Sequence, residues 1–273
     1  MATSVFRFAA LAALVAVFID FFACPGFSQG KIEEATIKPP AWIHGTVFNF
    51  GIYDQSLIRV GSAAYKIELD PDMGINNYTI RYNAKSADMA EASTCIVDKK
   101  TLLPARSTRK LMRQGSVWYQ NAFYTANGVT VTTKRDDGAV VERRLPLGDD
   151  DKLYDFEELT LVVPQIDWRS TSKVYFYLFT ASRAATSWVV VENLGSATLT
   201  WKNKIWKCSK LSLKSDFGEQ QMFTTIIDGK TVIAKYDLGS YVFLNLDIPS
   251  TGTIADIEGD VSLEQAITMA QNH

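Results

Sequence analysis

Histidine is the side chain that most often exchanges a proton near neutral pH, and the chain contains only His44 and His273. His44 lies close to Trp42 in a polar lead-in segment, and His273 is the last residue, so we expect no Ser-His-Asp site on either. Neither histidine has a cysteine or another histidine at metal-ligand spacing. The sequence therefore predicts no catalytic residue, no metal site and no cofactor.

Neighbouring carboxylates are the other residues that could support acid–base chemistry. They occur as Asp136-Asp137, as three aspartates at 149–151, and as Glu157-Glu158. A two-carboxylate hydrolase needs such a pair in a cleft with separated pKa values. Solvated turns and the start of a helix account for the same residues. The hydrolase is therefore kept only as a second alternative function.

The chain has three cysteines, at Cys24, Cys95 and Cys208. Export would allow Cys95 and Cys208 to form a disulfide. The other interpretation is that both are small buried hydrophobic residues on separate strands. Cys24 raises the question of lipidation, but Phe21 and Phe22 fit poorly with the Leu-small-small-Cys pattern that lipidation requires.

Aromatic clusters form the candidate binding surface. In the segment 174–179, alternation sends three aromatic side chains to one strand face and apolar side chains to the other. A strand that is apolar on both faces is covered on both sides or borders a cavity. Ordinary core packing is one interpretation, and a groove for an acyl chain or an apolar peptide is the other. The candidate ligand-binding residues are Trp118, Tyr119, Phe123, Tyr175, Tyr177 and Phe179.

The N-terminus predicts export. Arg7 is followed by an unbroken apolar run at 8–19, which is typical of a secretory signal peptide. This run is shorter than the roughly 20 residues that a helix needs to cross a bilayer. We therefore expect a signal peptide at 1–28, a lead-in linker at 29–45, and a periplasmic or envelope-associated protein. Membrane association is compatible with this prediction, but a spanning segment is not expected after processing.

Charge and composition limit the partners. The 28 basic and 30 acidic residues nearly balance, which gives no electrostatic case for nucleic-acid binding, where a basic stripe would be expected. A hydrophobic fraction of 47% is typical of a globular protein. The expected partner is a hydrophobic small molecule or an envelope protein.

Short β-type runs separated by turn residues occupy most of the chain. Asn127-Gly128 and Asp228-Gly229 are strong signals for two-residue hairpins. One short helix is predicted between 145 and 164, because apolar residues from Leu153 onward recur at helical spacing. The aspartates at 149–151 favour the start of this helix, and Pro164 would end it. The predicted strands are 46–53, 61–69, 77–84, 90–97, 105–112, 117–124, 129–134, 139–144, 174–180, 187–192, 197–201, 205–213, 220–227, 231–236 and 241–246.

The pattern predicts an all-β protein with minor α content. Successive hairpins favour a large, curled antiparallel sheet, and 46–248 is expected to form a single β domain. The segment 249–273 is expected to be a C-terminal tail with a short helix, because Ser262 and Gln265 resemble a capping box and precede an apolar stripe.

The order of several motifs resembles the exported bacterial family called domain of unknown function 3108. An aromatic strand at 47–52 is followed by a strand that opens at Gly61. Asp98 ends a strand before Leu102-Leu103-Pro104, a short helix follows at 154–159, and a late strand surrounds Cys208. The family's Pro-Ala-Gly-type turn before that late strand is replaced here by the residues at 200–204.

The resemblance covers roughly 46–246. It implies an open or half-closed antiparallel barrel wrapped on a helix, similar to periplasmic lipoprotein carriers, and it implies no established activity. The expected function is therefore a non-enzymatic binding protein of the cell envelope that holds a hydrophobic ligand in a curved sheet. The alternatives are a structural or assembly factor that binds another envelope protein, and a carboxylate-based hydrolase.

Overall fold

The computed structural model describes residues 37–251 except 39, 41, 70–75, 88, 114, 149–151, 202–203, 217 and 246–249. The described residues all belong to one compact unit, Glu34–His273. The predicted signal peptide, Cys24, the aspartates at 149–151 and the predicted C-terminal helix lie outside the described residues.

The described part of the chain forms sixteen β-strands and one α-helix, α1, at Phe156–Val162. The strands are β1 (Thr46–Tyr53), β2 (Arg59–Glu68), β3 (Asn77–Ser86), β4 (Met89–Asp98), β5 (Pro104–Arg113), β6 (Ser116–Thr125), β7 (Gly128–Arg135), β8 (Val140–Pro146), β9 (Leu153–Asp155), β10 (Lys173–Thr180), β11 (Ala185–Trp201), β12 (Lys204–Ser215), β13 (Gly218–Ile227), β14 (Lys230–Asp237), β15 (Val242–Asn245) and β16 (Ser250–Thr251).

The strands form one sheet in two antiparallel halves. Strands β1 to β8 follow one another as hairpins, and so do β10 to β15; β1 pairs with β15 and joins the halves. The short β16 also pairs with β1, and β9 pairs in parallel with β10. The sheet curls without closing, so β8 and β9 are its two edges. The predicted all-β open half-barrel is confirmed.

Turn chemistry fixes several hairpins. Asp228 and Gly229 both have positive φ values, 50° and 75°, as the predicted two-residue hairpin requires. Gly61 meets a different constraint: a Cβ atom there would lie 2.1 Å from the backbone oxygen of Lys85 on β3. Only glycine allows the backbones of β2 and β3 to approach so closely at this point.

Two predicted strands are parts of one. The predicted runs at 187–192 and 197–201 both belong to the continuous strand β11, which pairs with β12 from Val189 to Trp201. The register shifts between Asn193 and Ser196, and Gly195 has φ 95° at this irregularity. The side chain of Asn193 accepts a hydrogen bond from Gly195 N at 2.9 Å. The turn-like residues therefore form a bulge within a strand rather than a break between two strands.

The internal helix is confirmed, but its start differs from the prediction. Leu153 opens β9, and the helix begins only at Phe156. Asp155 is the N-cap, so the cap is not formed by the aspartates at 149–151. Pro164 lies in a 3₁₀ turn, Val163–Gln165, that continues directly from α1. Leu153–Asp155 pair with β10 as a short strand. This pairing overrides the helical spacing of the apolar residues that starts at Leu153.

The main core lies inside the curl of the sheet, where α1 packs against strands of both halves. A second, smaller cluster joins the two edges. In it, Val129 and Val131 of β7 pack with Leu153 of β9 and Phe179 of β10. The side chain of Gln120 on β6 also donates to the carbonyl oxygen of Ala181 at 2.6 Å. These contacts hold the edges of the open sheet near each other without strand pairing between them.

Candidate ligand-binding cavity

A cavity of about 370 Å³ lies between α1 and the inner face of the curled sheet. It opens among the hairpins at one end of the sheet, and both halves contribute to its wall. This volume falls in the range of about 300–1,000 Å³ that is usual for small-molecule sites. Its apolar wall includes Phe50, Ile52, Leu159, Leu178, Leu213 and Phe243.

Strand alternation places polar and apolar side chains in sequence along this wall. On β5, Arg109, Leu111 and Arg113 are two residues apart and all line the cavity. Ser107 comes two residues earlier, and its hydroxyl donates to Asp155 Oδ2 at 2.8 Å. The inward face of β5 therefore runs from the N-terminus of α1, along the cavity wall, to the mouth.

Arg109 is the centre of a buried ion cluster on this wall. Its Nε lies 2.5 Å from Glu91 Oε1 on β4, and its Nη2 donates to Glu157 Oε1 on α1. The contact with Glu91 is an ion pair at close range, but its atoms are not aligned as a hydrogen bond. The three side chains are only 5–11% exposed. Arg109 therefore ties the helix to the sheet and neutralises charge that would otherwise be buried alone.

Asp155 holds the start of α1 in place. Its Oδ1 accepts from Glu157 N at 3.0 Å, and the side chain of Glu158 accepts from Asp155 N at 3.0 Å, which completes a capping box. Its Oδ2 accepts hydrogen bonds from Ser107 and from the hydroxyl of Tyr124. One buried carboxylate thus joins α1 to β5 and β6.

Burial changes the ionisation of the carboxyl groups beside the cavity. Desolvation raises the pKa of Glu157 to about 8, although the guanidinium of Arg109 opposes this shift. The pKa of Glu158 is also raised well above its ordinary value, by burial and then by the charge of Asp155. Sequence reasoning treated Glu157-Glu158 as a solvated helix start; both residues are in fact buried.

The two described cysteines are free thiols in this structure, so Cys95 and Cys208 do not form the disulfide that the sequence left open. Cys95 is buried on β4, and its Sγ lies 3.7 Å from Glu158 Oε2. Burial and the nearby Glu158 raise its pKa well above the ordinary value. Because the reactive form of cysteine is the thiolate, Cys95 is expected to be unreactive.

The six aromatic residues chosen from the sequence lie elsewhere, and none of them lines the cavity. Phe179 is fully buried in the second cluster, where it meets the ring of Tyr124 edge-on at 6.0 Å. Tyr177 is half-buried beside Trp188, with ring centroids 5.0 Å apart. The opposite face of β10 supplies the cavity residue Leu178. Because both faces of β10 are apolar, alternation alone could not identify the face that borders the cavity.

The other four of these aromatics are half-buried or exposed. Trp118 is the cross-strand partner of the cavity residue Leu111 and lies on the inward face of β6, whereas Tyr119 and Phe123 lie on its other face. Trp118 and Tyr119 are half-buried on β6, and Phe123 and Tyr175 are 47% and 37% exposed. Three of these four rings lie beside cationic side chains: Tyr119 beside Lys110, Phe123 beside Arg106, and Tyr175 beside Lys173, at 5.0–5.7 Å. Such pairs are typical of solvent-facing strand positions.

Sequence reasoning missed the residues that form the cavity. Arg109 lies in a strand whose burial alternates, and an arginine at an inward position is the one signal that could have marked it. Within the described ranges, no group of three or more His, Cys, Asp or Glu side chains could hold a metal ion. None of the helices in the described ranges has the length and hydropathy of a membrane span.

The chain was compared with protein-family models, with curated proteins and with solved structures, and none of them matches it. The resemblance to domain of unknown function 3108 therefore stays a prediction.

Proposed function

We propose that this protein is an exported, non-enzymatic binding protein of the cell envelope, and that it holds a hydrophobic ligand in the cavity inside its half-barrel. The observation that carries the proposal is a cavity of about 370 Å³ that the protein's own side chains leave open between α1 and the sheet. Each methylene group buried there contributes about 0.8 kcal/mol to binding. The signal peptide predicted at 1–28 supports an envelope location.

We propose no catalytic role for the carboxylates in the wall. Glu91 and Glu157 do converge on one cavity, as a carboxylate-based hydrolase would need. Both, however, contact the same guanidinium of Arg109, so one oxygen of each carboxylate already belongs to an ion cluster. A general base needs an oxygen free to accept a proton from a bound reactant.

A pair of tryptophan substitutions tests the ligand-binding proposal. Val189 lines the cavity, while the next residue, Val190, lies on the opposite face of β11 and is half-buried. We expect Val189→Trp to fill the cavity and to abolish uptake of a fluorescent fatty acid. Val190→Trp, the matched control, should bind as the wild type does. Equal uptake of the fatty acid by both variants would show that the cavity is not the binding site.

One observation favours the envelope-protein alternative. An open groove of about 980 Å³ lies at the opposite end of the sheet, where β12 begins. Ile205 and Ile226 line it and are 71% and 72% exposed. A photo-crosslinking residue at Ile226 should give one adduct of defined mass in the native envelope if a protein docks there. The same residue at the exposed Ile58, which is remote from the groove, is the control; equal labelling at both positions contradicts the alternative.

A further inference from the structure

One edge of the sheet, strand β8, has a strand partner on one side only among the described residues. It ends the strand order and pairs with β7. Its first five residues are all exposed, including Val140 at 59% and Val141 at 44%. The unpaired N–H and C=O groups of such an edge are a template for another strand, and natural proteins usually cover or pair them.

The hydrogen bonds of the β7–β8 hairpin show which backbone groups face the open edge. Arg135 N donates to Ala139 O at one end of the ladder, and Leu147 N donates to Asn127 O at the other end. Hydrogen-bonded positions alternate in an antiparallel ladder, so the odd-numbered residues of β8 direct their backbone groups to β7. The residues whose backbone groups face the open edge are therefore Val140, Glu142 and Arg144.

The charges of β8 are complementary to a second copy of the same strand. Glu142 and Arg144 lie on one face of β8, where Arg144 Nη2 is 3.4 Å from Glu142 Oε1, and their side chains are 53% and 82% exposed. If two β8 strands pair antiparallel about an axis at Arg143, Glu142 of each copy lies opposite Arg144 of the other. The four charges then alternate in sign around a square.

This centred register is favoured over its neighbours. A slip by two residues places Glu142 opposite its own copy in one direction, and Arg144 opposite its own copy in the other. Like charges directly opposite each other destabilise a strand pair. In the centred register, Val141 lies opposite Leu145, and the edge-facing backbone groups of Glu142 meet those of Arg144. Pro146 has no N–H group, so the pairing ends there.

We infer that two copies of this chain pair through β8, antiparallel and centred on Arg143, to form a dimer with one continuous sheet. The contact is isologous, so it closes the assembly and covers the open edge of both copies. One contact opposes it, because Arg143 faces its own copy across the axis. Two Glu142–Arg144 pairs and two Val141–Leu145 pairs outweigh that contact. A single strand pair buries little area, so the dimer is weak and depends on concentration.

Disulfide trapping tests the register. Arg143→Cys places two cysteines directly opposite each other at a non-hydrogen-bonded position, where Cα atoms about 4.5 Å apart suit a disulfide. Val141→Cys, the matched control on the same face, places its two cysteines about 13 Å apart along the strands. With oxidised glutathione as the oxidant, we expect a covalent dimer of the mature protein from Arg143→Cys and none from Val141→Cys. The wild type is a further control, because Cys95 and Cys208 are buried. Covalent dimers of both variants in equal yield, or of neither, overturn the inference.

Charge reversal tests the ion pairs. Glu142→Arg or Arg144→Glu alone places like charges opposite each other, and each should weaken the dimer about tenfold in sedimentation velocity over a concentration series. The variant with both substitutions restores the alternation and should dimerise as the wild type does. Arg143→Thr removes the one opposing contact and should strengthen the dimer. Thermal unfolding of each variant checks that the fold is intact.

The remaining outcomes contradict the inference without affecting the proposed function, because none of these measurements depends on ligand uptake. A wild type that stays monomeric up to high micromolar concentration overturns the inference. A dimer of equal strength in the wild type and in both single charge variants also overturns it. If the wild type is monomeric and the amides at 140–144 are protected from hydrogen exchange, another segment of the chain covers the edge instead of a second copy.

Discussion

Removal of the Arg109 guanidinium is the perturbation with the clearest expected magnitude. Arg109→Met keeps most of the side-chain volume but leaves Glu91 and Glu157 without their shared cation. Both carboxyl groups are about nine-tenths buried or more, with side-chain exposures of 11% and 5%. Breaking a buried ion pair in this way costs about 3–5 kcal/mol.

The cost should depend on pH, because the two carboxyl groups can escape it by taking up protons. At pH 8.5 the loss in free energy of unfolding should approach about 4 kcal/mol. At pH 5.5, Glu157, whose pKa is about 8, is protonated in both proteins, so the loss should be smaller than at pH 8.5 by about 1 kcal/mol. Urea unfolding of wild type and variant at the two pH values measures both quantities.

A double variant provides the control for this prediction. Adding Glu157→Gln to Arg109→Met removes one of the stranded charges, so the double variant should be more stable at pH 8.5 than Arg109→Met alone. A loss below about 1 kcal/mol at pH 8.5, or an equal loss at both pH values, would refute the account of Arg109 as the neutralising centre.

Three further predictions concern stability. Burial raises the pKa of Glu157 and Glu158 in the native state, so the native state holds protons that the unfolded chain releases. Each such proton lowers the free energy of unfolding by about 1.4 kcal/mol per pH unit, so wild-type stability should fall by about 1.4–2.7 kcal/mol per unit as pH rises from 5.5 to 7.5. A flat or rising profile in urea titrations contradicts this. Gly61→Ala puts a Cβ against the carbonyl oxygen of Lys85 and should lower the free energy of unfolding by about 2 kcal/mol or more. The control, Ser62→Ala, should leave thermal unfolding nearly unchanged. Asp155→Ala removes the N-cap of α1 and the acceptor for Ser107 and Tyr124. This change should lower the free energy of unfolding by about 2 kcal/mol in chemical denaturation. A loss below about 0.5 kcal/mol would show that the cap does not hold α1.

The fold was largely predictable because its signals are local. Strand alternation and turn residues such as Asp228 and Gly229 act over a few positions, and they predicted most strands and the one internal helix. The errors occur where tertiary pairing overrides a local signal. Leu153 has helical spacing but pairs with Tyr177 as part of β9, and Gly195 lies in a bulge rather than between strands.

The cavity was much less predictable than the fold. Its position depends on which face of each strand turns inward, and on β10 both faces are apolar, so Phe179 and Leu178 were equally suitable candidates. The ion cluster joins Glu91, Arg109 and Glu157, which are far apart in sequence. No spacing rule connects them, because their contact depends on how α1 packs inside the curled sheet.

Native mass spectrometry of the mature protein, purified from its own envelope without detergent, tests the central claim most directly. We expect the wild type to carry an additional lipid-sized mass that dissociates on activation, and we expect Val189→Trp to lack it while Val190→Trp retains it. A clean apo mass for the wild type, with no uptake when amphiphiles are added afterwards, would contradict ligand binding in the half-barrel.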